Sequence, residues 1–454
     1  MNVKVKLNQI IQLKIKKLGI NGEGIGYYQR KIVFVPGALP NEMVKVKITD
    51  IRPKYLSAKL IKVLKASKER VDPRDKYEVG GIELENLAYP AQLKFKQDLI
   101  QQALNKFEPQ GYQHYDVRPT IGMEYPYEYR NKAQFQVRKM KDGTIKAGLY
   151  QANSHYLVDL PTFSTQMPLT MKIMRTIVQL LKKWNVSIYD EKRNQGNVKT
   201  IVIRQSAAFD QVQVVFVTNQ RAFPQKNDLI VSLQRTYPQI VSIMQNVNPG
   251  RKSLVWGTET FRLAGKDTID EQLGNVKFKL SARAFFQLNP QQTLKLYDEV
   301  KQALDLHPDE TLVDAYCGVG TIGLYVGQNA KQIRGMDIIP ESIADAQQNA
   351  QMSGIKNVHY ETGTAEELMT KWAKNGFVPD ALVVDPPRTG LDKQLVETIH
   401  QYQPQKFVYV SCNPSTLARD LVKLVRDYEV EYIQSIDMFP QTARCEAIVK
   451  FKKK

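Results

Sequence analysis

Asp314-Ala315-Tyr316-Cys317-Gly318-Val319-Gly320-Thr321-Ile322-Gly323 follows the apolar run Thr311 to Ala315 and opens a helix-prone segment. A β-prone run, a glycine turn and a helix in that order begin a βαβ unit, so this part of the chain reads as an α/β sheet. Three further runs, Ile333 to Asp337, Ala381 to Asp385 and Lys406 to Ser411, have the continuous apolar character of strands buried on both faces. They alternate with helical segments. A parallel sheet is therefore expected from Ala282 to the end of the chain. Gly318, Gly320 and Gly323 satisfy G-x-G-x-x-G, whose glycines let a nucleotide-type ligand approach the backbone. Asp337 closes the next strand, where a carboxylate binds ribose hydroxyls. A dinucleotide and S-adenosylmethionine (SAM) suit these features equally.

Asp385-Pro386-Pro387-Arg388-Thr389-Gly390 separates the two. Dehydrogenases need no rigid Pro-Pro turn at the end of that strand, whereas methyltransferases acting on bases commonly have one. Enzymes that modify exocyclic amines usually carry an aromatic residue after the prolines. This chain has Arg388 instead, and Cys412 one strand later, in Val408-Tyr409-Val410-Ser411-Cys412-Asn413-Pro414. Asn413 and Pro414 suit the N-cap and first turn of a helix, which places the thiol at an amide-rich helix start that favours the thiolate. A nucleophilic cysteine implies carbon, not nitrogen, as the acceptor.

The 454 residues suggest about three domains on a prior of ~150 residues each. Lys plus Arg number 64 against 46 Asp plus Glu, and the formal charge of +18 favours a polyanionic partner, nucleic acid first. Cys317, Cys412 and Cys445 cannot build an extracellular disulfide framework, and no start resembles a signal peptide, so a cytoplasmic setting is expected. No apolar stretch approaches the ~20 residues of a membrane span. The five histidines lack metal-ligand spacing, so no metal site is expected. No obligate protein partner is evident.

From Val3 to about Lys65, alternating short runs separated by turns read as a small β-barrel whose strands, Lys31 to Val35 and Met43 to Ile48 among them, carry lysines on the polar face. Ala66 to Arg74 reads as a linker. Pro90 to Phe107 has the spacing of a plain packing helix. Between Val117 and about Leu280 the chain is β-rich, with a hairpin signal at Asp142-Gly143 and strands Val198 to Arg204 and Val212 to Val217. Here Tyr125, Tyr127, Tyr129, Arg130, Asn131, Lys132, Phe135 and Arg138 interleave rings with cationic and amide groups, as base stacking and phosphate contact require. The expected domains are a barrel over 1–65, a central mixed α+β RNA-binding domain over 66–88 and 117–280, and a Rossmann-like α/β domain over 89–116 and 281–454.

These residues resemble the RNA uridine C5-methyltransferase family, which acts on tRNA and ribosomal RNA, over nearly the whole chain. Carrying the resemblance, besides the motifs above, are Ser281-Ala282-Arg283-Ala284-Phe285-Phe286-Gln287-Leu288-Asn289, Ser411-Cys412-Asn413-Pro414-Ser415-Thr416-Leu417-Ala418-Arg419-Asp420, and Asp437-Met438-Phe439-Pro440-Gln441-Thr442 leading to Glu446. The barrel, with Val35-Pro36-Gly37-Ala38-Leu39-Pro40-Asn41-Glu42, resembles the family's TRAM domain. The resemblance implies Cys412 as the thiolate that adds at uracil C6 and Glu446 as the base that takes the C5 proton. It implies Gln287, Tyr316, Asp337 and Asp385 as SAM contacts, and 23S ribosomal RNA as the expected substrate, with tRNA as the alternative. A methyltransferase-like RNA chaperone is the reading from another class, and the intact Cys412 and Glu446 argue against it. Cys445 is the rival nucleophile, but strand alternation along Ala443 to Val449 points it opposite to Glu446. Many relatives bind an iron–sulfur cluster through a C-x5-C-G-G-C run and a distant fourth cysteine. The corresponding positions here are Pro73, Val79, Ile82 and Phe163, so no cluster is expected and packing is expected in its place.

Overall fold

The computed structural model describes residues 5–151, 154–251 and 254–454; Val3, where the expected barrel begins, lies outside them. A closed barrel comes first, its strands ordered Ile10–Leu18, Gly24–Tyr28, Lys31–Val35, Tyr55–Lys65, Met43–Ile51. Alternation builds it: Ile11, Leu13 and Ile15 face Val44, Val46 and Ile48 inside, while the intervening residues stay outside. Leu18 and Leu39 instead join Leu84, Leu87 and the C-terminal core, so the barrel is packed onto the rest of the chain.

The stretch expected as a linker is fastened. Glu42 is fully buried and accepts the Leu39 and Ser67 N–H groups at 2.9 and 3.2 Å, and the Arg70 guanidinium closes on it at 2.5 and 2.8 Å. A buried carboxylate with this many donors ties two segments together far more firmly than the Pro-containing, basic composition suggested.

The central sheet has seven strands, ordered Glu259–Gly265, Ile240–Val247, Val212–Thr218, Val198–Gln205, Lys132–Lys139, Ile145–Tyr150, Leu157–Asp159. The Asp142-Gly143 hairpin forms as expected, with Gly143 at φ +81°. Helices Pro168–Lys183 and Lys226–Thr236 cover one face through Ile173, Ile177, Leu229 and Leu233. Val79, Ile82 and Phe163, which the resemblance aligns with cluster ligands, are buried in this same core.

The C-terminal sheet has eight strands, ordered Val358–Thr362, Gln332–Asp337, Thr311–Ala315, Ala381–Val384, Lys406–Ser411, Glu446–Lys453, Tyr428–Ile436, Val117–Ile121. It is mixed, not wholly parallel, because Glu446–Lys453 runs antiparallel to both its neighbours. Val117–Ile121, expected in the central part, pairs with Tyr428–Ile436. The hairpin Thr268–Leu273 with Val276–Ser281, also expected there, packs Ile269, Leu273 and Phe278 against Leu296 and Tyr297 of the C-terminal core. Both misplacements have one cause: strand periodicity reports a buried face but not which sheet supplies the partner.

Candidate active site

Register alone gathers the site. Ala315 pairs with Val384, Val384 with Tyr409, and Ser411 with Ala447. The residues just past these ends are Tyr316, Asp385, Cys412 and, on the antiparallel strand, Glu446. Asp337 ends the strand on the other side of Thr311–Ala315. All five therefore stand along one edge of the sheet, where open α/β sheets bind ligands. The antiparallel strand is decisive, since only reversed direction puts its first residue, Glu446, beside the last residues of the parallel strands.

Helix Pro414–Leu424 holds Cys412 in place from behind. Asn413 caps it, its side chain accepting the Ser415 N–H at 3.1 Å and donating to the Arg388 carbonyl at 3.0 Å. The Pro-Pro loop is thus fastened to the helix start, and Leu391 N–H adds a bond to the buried Asp420 at 2.8 Å. Gly390, at φ +79°, has no room for a Cβ, which would lie 2.5 Å from that Asp420 carboxylate.

The helix start does not by itself make a thiolate. Burial pushes the half-buried Cys412 thiol up to about 11, Glu446 and Asp385 add to the rise, and Arg388 opposes it. The carboxyls are displaced too: burial pushes Asp385 up to about 7 and, together with Asp385, pushes Glu446 up to about 8, against Arg388 and Lys96. Near neutral pH these carboxyls hold protons for much of the time, which lessens their repulsion of a thiolate. Titratable groups displaced this far, converging on one edge, make this a candidate chemical site. Cys445 differs. It is buried in the core on the other face, donates to the Lys96 carbonyl at 3.5 Å, and is pushed up to about 12 by burial.

The glycine loop leaves room for a ligand. Gly318, at φ +55°, would carry a Cβ into open space, while at Gly320 a Cβ would press within 2.7 Å of the Tyr360 hydroxyl. Asp337 accepts the Gly318 N–H at 3.1 Å and the Ile339 N–H at 2.9 Å and keeps further lone pairs. Asp314 is buried, binds the Gly323 N–H through Oδ2 at 2.7 Å, and has no partner for Oδ1. An open glycine cradle, a strand-end carboxylate and an orphaned buried acceptor fit SAM, a nucleoside with a cationic end.

The substrate-facing residues expected in the central part divide. Tyr129 is 4% exposed and donates to the Pro440 carbonyl at 2.9 Å; Phe135 is 1% exposed in the central core. Neither ring can stack a base: Tyr129 is buried against Pro440, and Phe135 belongs, with Ala133 and Val137, to the inward set of its strand. Asn131 is buried as a clasp: its N–H and side-chain amide donate to the Leu288 and Gln287 carbonyls at 3.0 and 3.1 Å. Gln287 itself is half-exposed beside that joint. Arg130 is half-buried, 5.7 Å from the Phe439 ring, and Lys132 is half-buried. Burial and the neighbouring Arg204 push the Lys132 ammonium down to about 7. Tyr125 is exposed, and Arg74 lies 3.6 Å over the Tyr127 ring.

The helix Tyr89–Phe107 is more than packing. Fully buried Lys96 meets fully buried Asp437 at 2.5 Å and the Phe439 carbonyl at 3.0 Å. Tyr89 donates to Asp437 at 2.9 Å, and Gln92 pairs with Gln441 at 2.8 and 3.0 Å. These bonds anchor the loop that leads into Glu446. The signal was present in the sequence: Gln92 and Lys96 fall on the same stripe as Phe95, Leu99 and Ile100. Arg204, buried and donating to the Ala284 carbonyl, gave no such signal. Among the described residues no group of His, Cys, Asp and Glu could hold a metal ion, and no helix is long and apolar enough to cross a membrane.

Comparison with known proteins supplies the family. Residues 88–454 match the tRNA (uracil-5-)-methyltransferase family and residues 4–61 the TRAM domain. A Lactiplantibacillus plantarum protein named simply as an RNA methyltransferase is 60% identical over 99% of this chain and 94% of its own length. One from Enterococcus faecalis, named likewise, is 55% identical over 99% of both chains. The solved tRNA (uracil-54, C5)-methyltransferase of Pyrococcus abyssi, in complex with S-adenosyl-L-homocysteine, superposes with a TM-score of 0.79 at 25% identity, over 97% of this chain and 100% of its own. The chain therefore belongs to the tRNA (uracil-5-)-methyltransferase family of SAM-dependent RNA methyltransferases and carries a TRAM domain at its N-terminal end.

Proposed function

We propose that this protein methylates C5 of a uridine in structured RNA, with 23S ribosomal RNA as the substrate and the cytoplasm as its setting. The observation that carries the reading is the antiparallel register that sets Glu446 beside Cys412. Uracil C5 is a weak nucleophile, so the Cys412 sulfur first adds to C6 and passes electron density to C5. SAM, held by Gln287, Tyr316, Asp337 and Asp385, supplies the electrophilic methyl group when bound. Glu446 then takes the C5 proton, the C6–S bond breaks, and Cys412 is regenerated. A carboxylate pushed up to about 8 is a stronger base than an ordinary one, which suits removal of a carbon-bound proton. Lys132 and Arg130, beside the Gln287 joint, receive phosphates of the substrate.

The +18 charge and the TRAM barrel support RNA as the partner. The 23S assignment rests on the barrel and the chain length. A tRNA substrate is the second reading, favoured by the whole-chain likeness to a tRNA (uracil-54, C5)-methyltransferase. Mapping 5-methyluridine in ribosomal and transfer RNA from a strain lacking this protein decides between them. Loss in 23S RNA is expected; loss confined to tRNA overturns the substrate assignment.

A further inference from the structure

Along Lys132–Lys139, the residues alternating with the buried Ala133, Phe135 and Val137 are Lys132, Gln134, Gln136 and Arg138, all half-buried on the opposite face. Lys132 stands at the catalytic end, next to the Asn131 clasp on Gln287. Arg138 stands at the other end, about 20 Å away at ~3.3 Å per residue. There it lines a cavity of about 260 Å³ together with Tyr150, Tyr189, Lys199 and Arg251.

This cavity is prepared for an anion with a ring attached. The Arg138 guanidinium donates to the Tyr150 hydroxyl and lies 5.6 Å from the centre of that ring. Arg251 is oriented by the Glu191 and Lys192 carbonyls at 2.8 and 2.6 Å, neutral acceptors that leave its charge in place. Lys199 is held by the Asn248 and Gly250 carbonyls at 2.8 and 2.6 Å, over the Tyr189 ring at 4.4 Å. The one carboxylate among the described lining residues, Glu191, is 3.6 Å from Arg138 and faces solvent in part. Among the described lining residues Arg138 and Arg251 face the single carboxylate of Glu191, and half-buried Tyr150, with exposed His155 edge-on at 6.1 Å, presents an aromatic wall.

We propose that this cavity is a second nucleotide site, which takes one nucleotide of the substrate RNA a few positions from the uridine delivered to Cys412. Its phosphate meets Arg138 and Arg251 and its base lies against Tyr150, with Gln134 and Gln136 lining the path between. Phosphate contact and ring stacking together are how single-stranded RNA is held. The inference rests on the RNA methyltransferase reading and adds to it the direction in which the bound strand runs.

The test uses full-length protein and the 23S ribosomal RNA proposed as its substrate. The Arg138→Gln/Arg251→Gln variant should raise KM for that RNA about tenfold and leave kcat at saturating RNA unchanged. Its plot of log affinity against log salt should flatten by ~0.7–0.9, the share of the one phosphate contact that is lost. Photo-crosslinking of 4-thiouridine-substituted RNA to the wild type should join the Tyr150 peptide to nucleotides near the methylated uridine. Unchanged KM and slope, or crosslinks that avoid this peptide, overturn the proposal. So does AMP binding there with no competition from RNA, which would make it a site for a free nucleotide. Crosslinking and the slope change with no uridine methylated by the wild type would support the nucleotide site while overturning the functional reading.

Discussion

The Lys96 ammonium meets the Asp437 carboxylate at 2.5 Å with both side chains fully buried, and this pair sits at the root of the loop that presents Glu446. Removing one partner strands a charge in the core. Lys96→Met is therefore expected to cost on the order of 3–5 kcal/mol, read as a lowered Tm or denaturation midpoint. Lys96→Met with Asp437→Asn together should cost less than the sum of the single changes, because neither charge is left alone. Additive losses would mean the pair is not coupled.

Lys96 also opposes the upward displacement of Glu446. Its removal from a variant that still folds should move the alkaline-rising limb of kcat/KM to higher pH. A limb that stays in place would detach the buried pair from the site's chemistry.

Glu446 gives a pH signature in stability. Its carboxyl is pushed up to about 8 in the fold from an ordinary 4.5, so the folded state binds the proton more tightly than the unfolded state does. That contribution is fully present below about 4.5 and is lost as pH rises through about 8. Glu446→Gln keeps the shape and cannot ionise. Its Tm relative to the wild type should climb between pH 5 and 8.5, and a constant difference across that range would contradict the displacement.

On the barrel, Lys45 lies directly across from Lys62, and Lys47 from Lys59, whose own charge Glu78 meets at 2.8 Å. Like charges opposed across a sheet are unfavourable until an anion lies over them. Lys45→Gln/Lys47→Gln/Lys62→Gln should raise the Tm at low salt and flatten the salt dependence of RNA binding by about two to three. An unchanged slope would place the phosphate contacts elsewhere than on this face.

Much of the site was legible in the chain. The strand ends at Ala315, Asp337 and Ser411 and the Asn413 cap follow from local pattern, and they fix where Asp337, Tyr316 and Cys412 stand. Glu446 was placed by resemblance, and its position depends on a strand reversal that no local pattern reveals. Tyr129 and Phe135 failed as ring platforms because an aromatic residue beside an arginine looks alike whether it faces solvent or the core. Composition misread 66–74 as a linker, since the Arg70 bond to Glu42 joins residues far apart in sequence.

The covalent route through Cys412 and Glu446 is tested most directly by incubating Glu446→Gln with SAM and substrate RNA and resolving the products under denaturing conditions. With its base removed the reaction should stall after methyl transfer, leaving methylated RNA bonded to Cys412 as a slow-migrating band that requires SAM. Cys412→Ala in the same background should abolish the band, and Cys445→Ala should leave it. Release of methylated RNA at the wild-type rate with no trapped band would contradict the account and move the search for the base to Asp385.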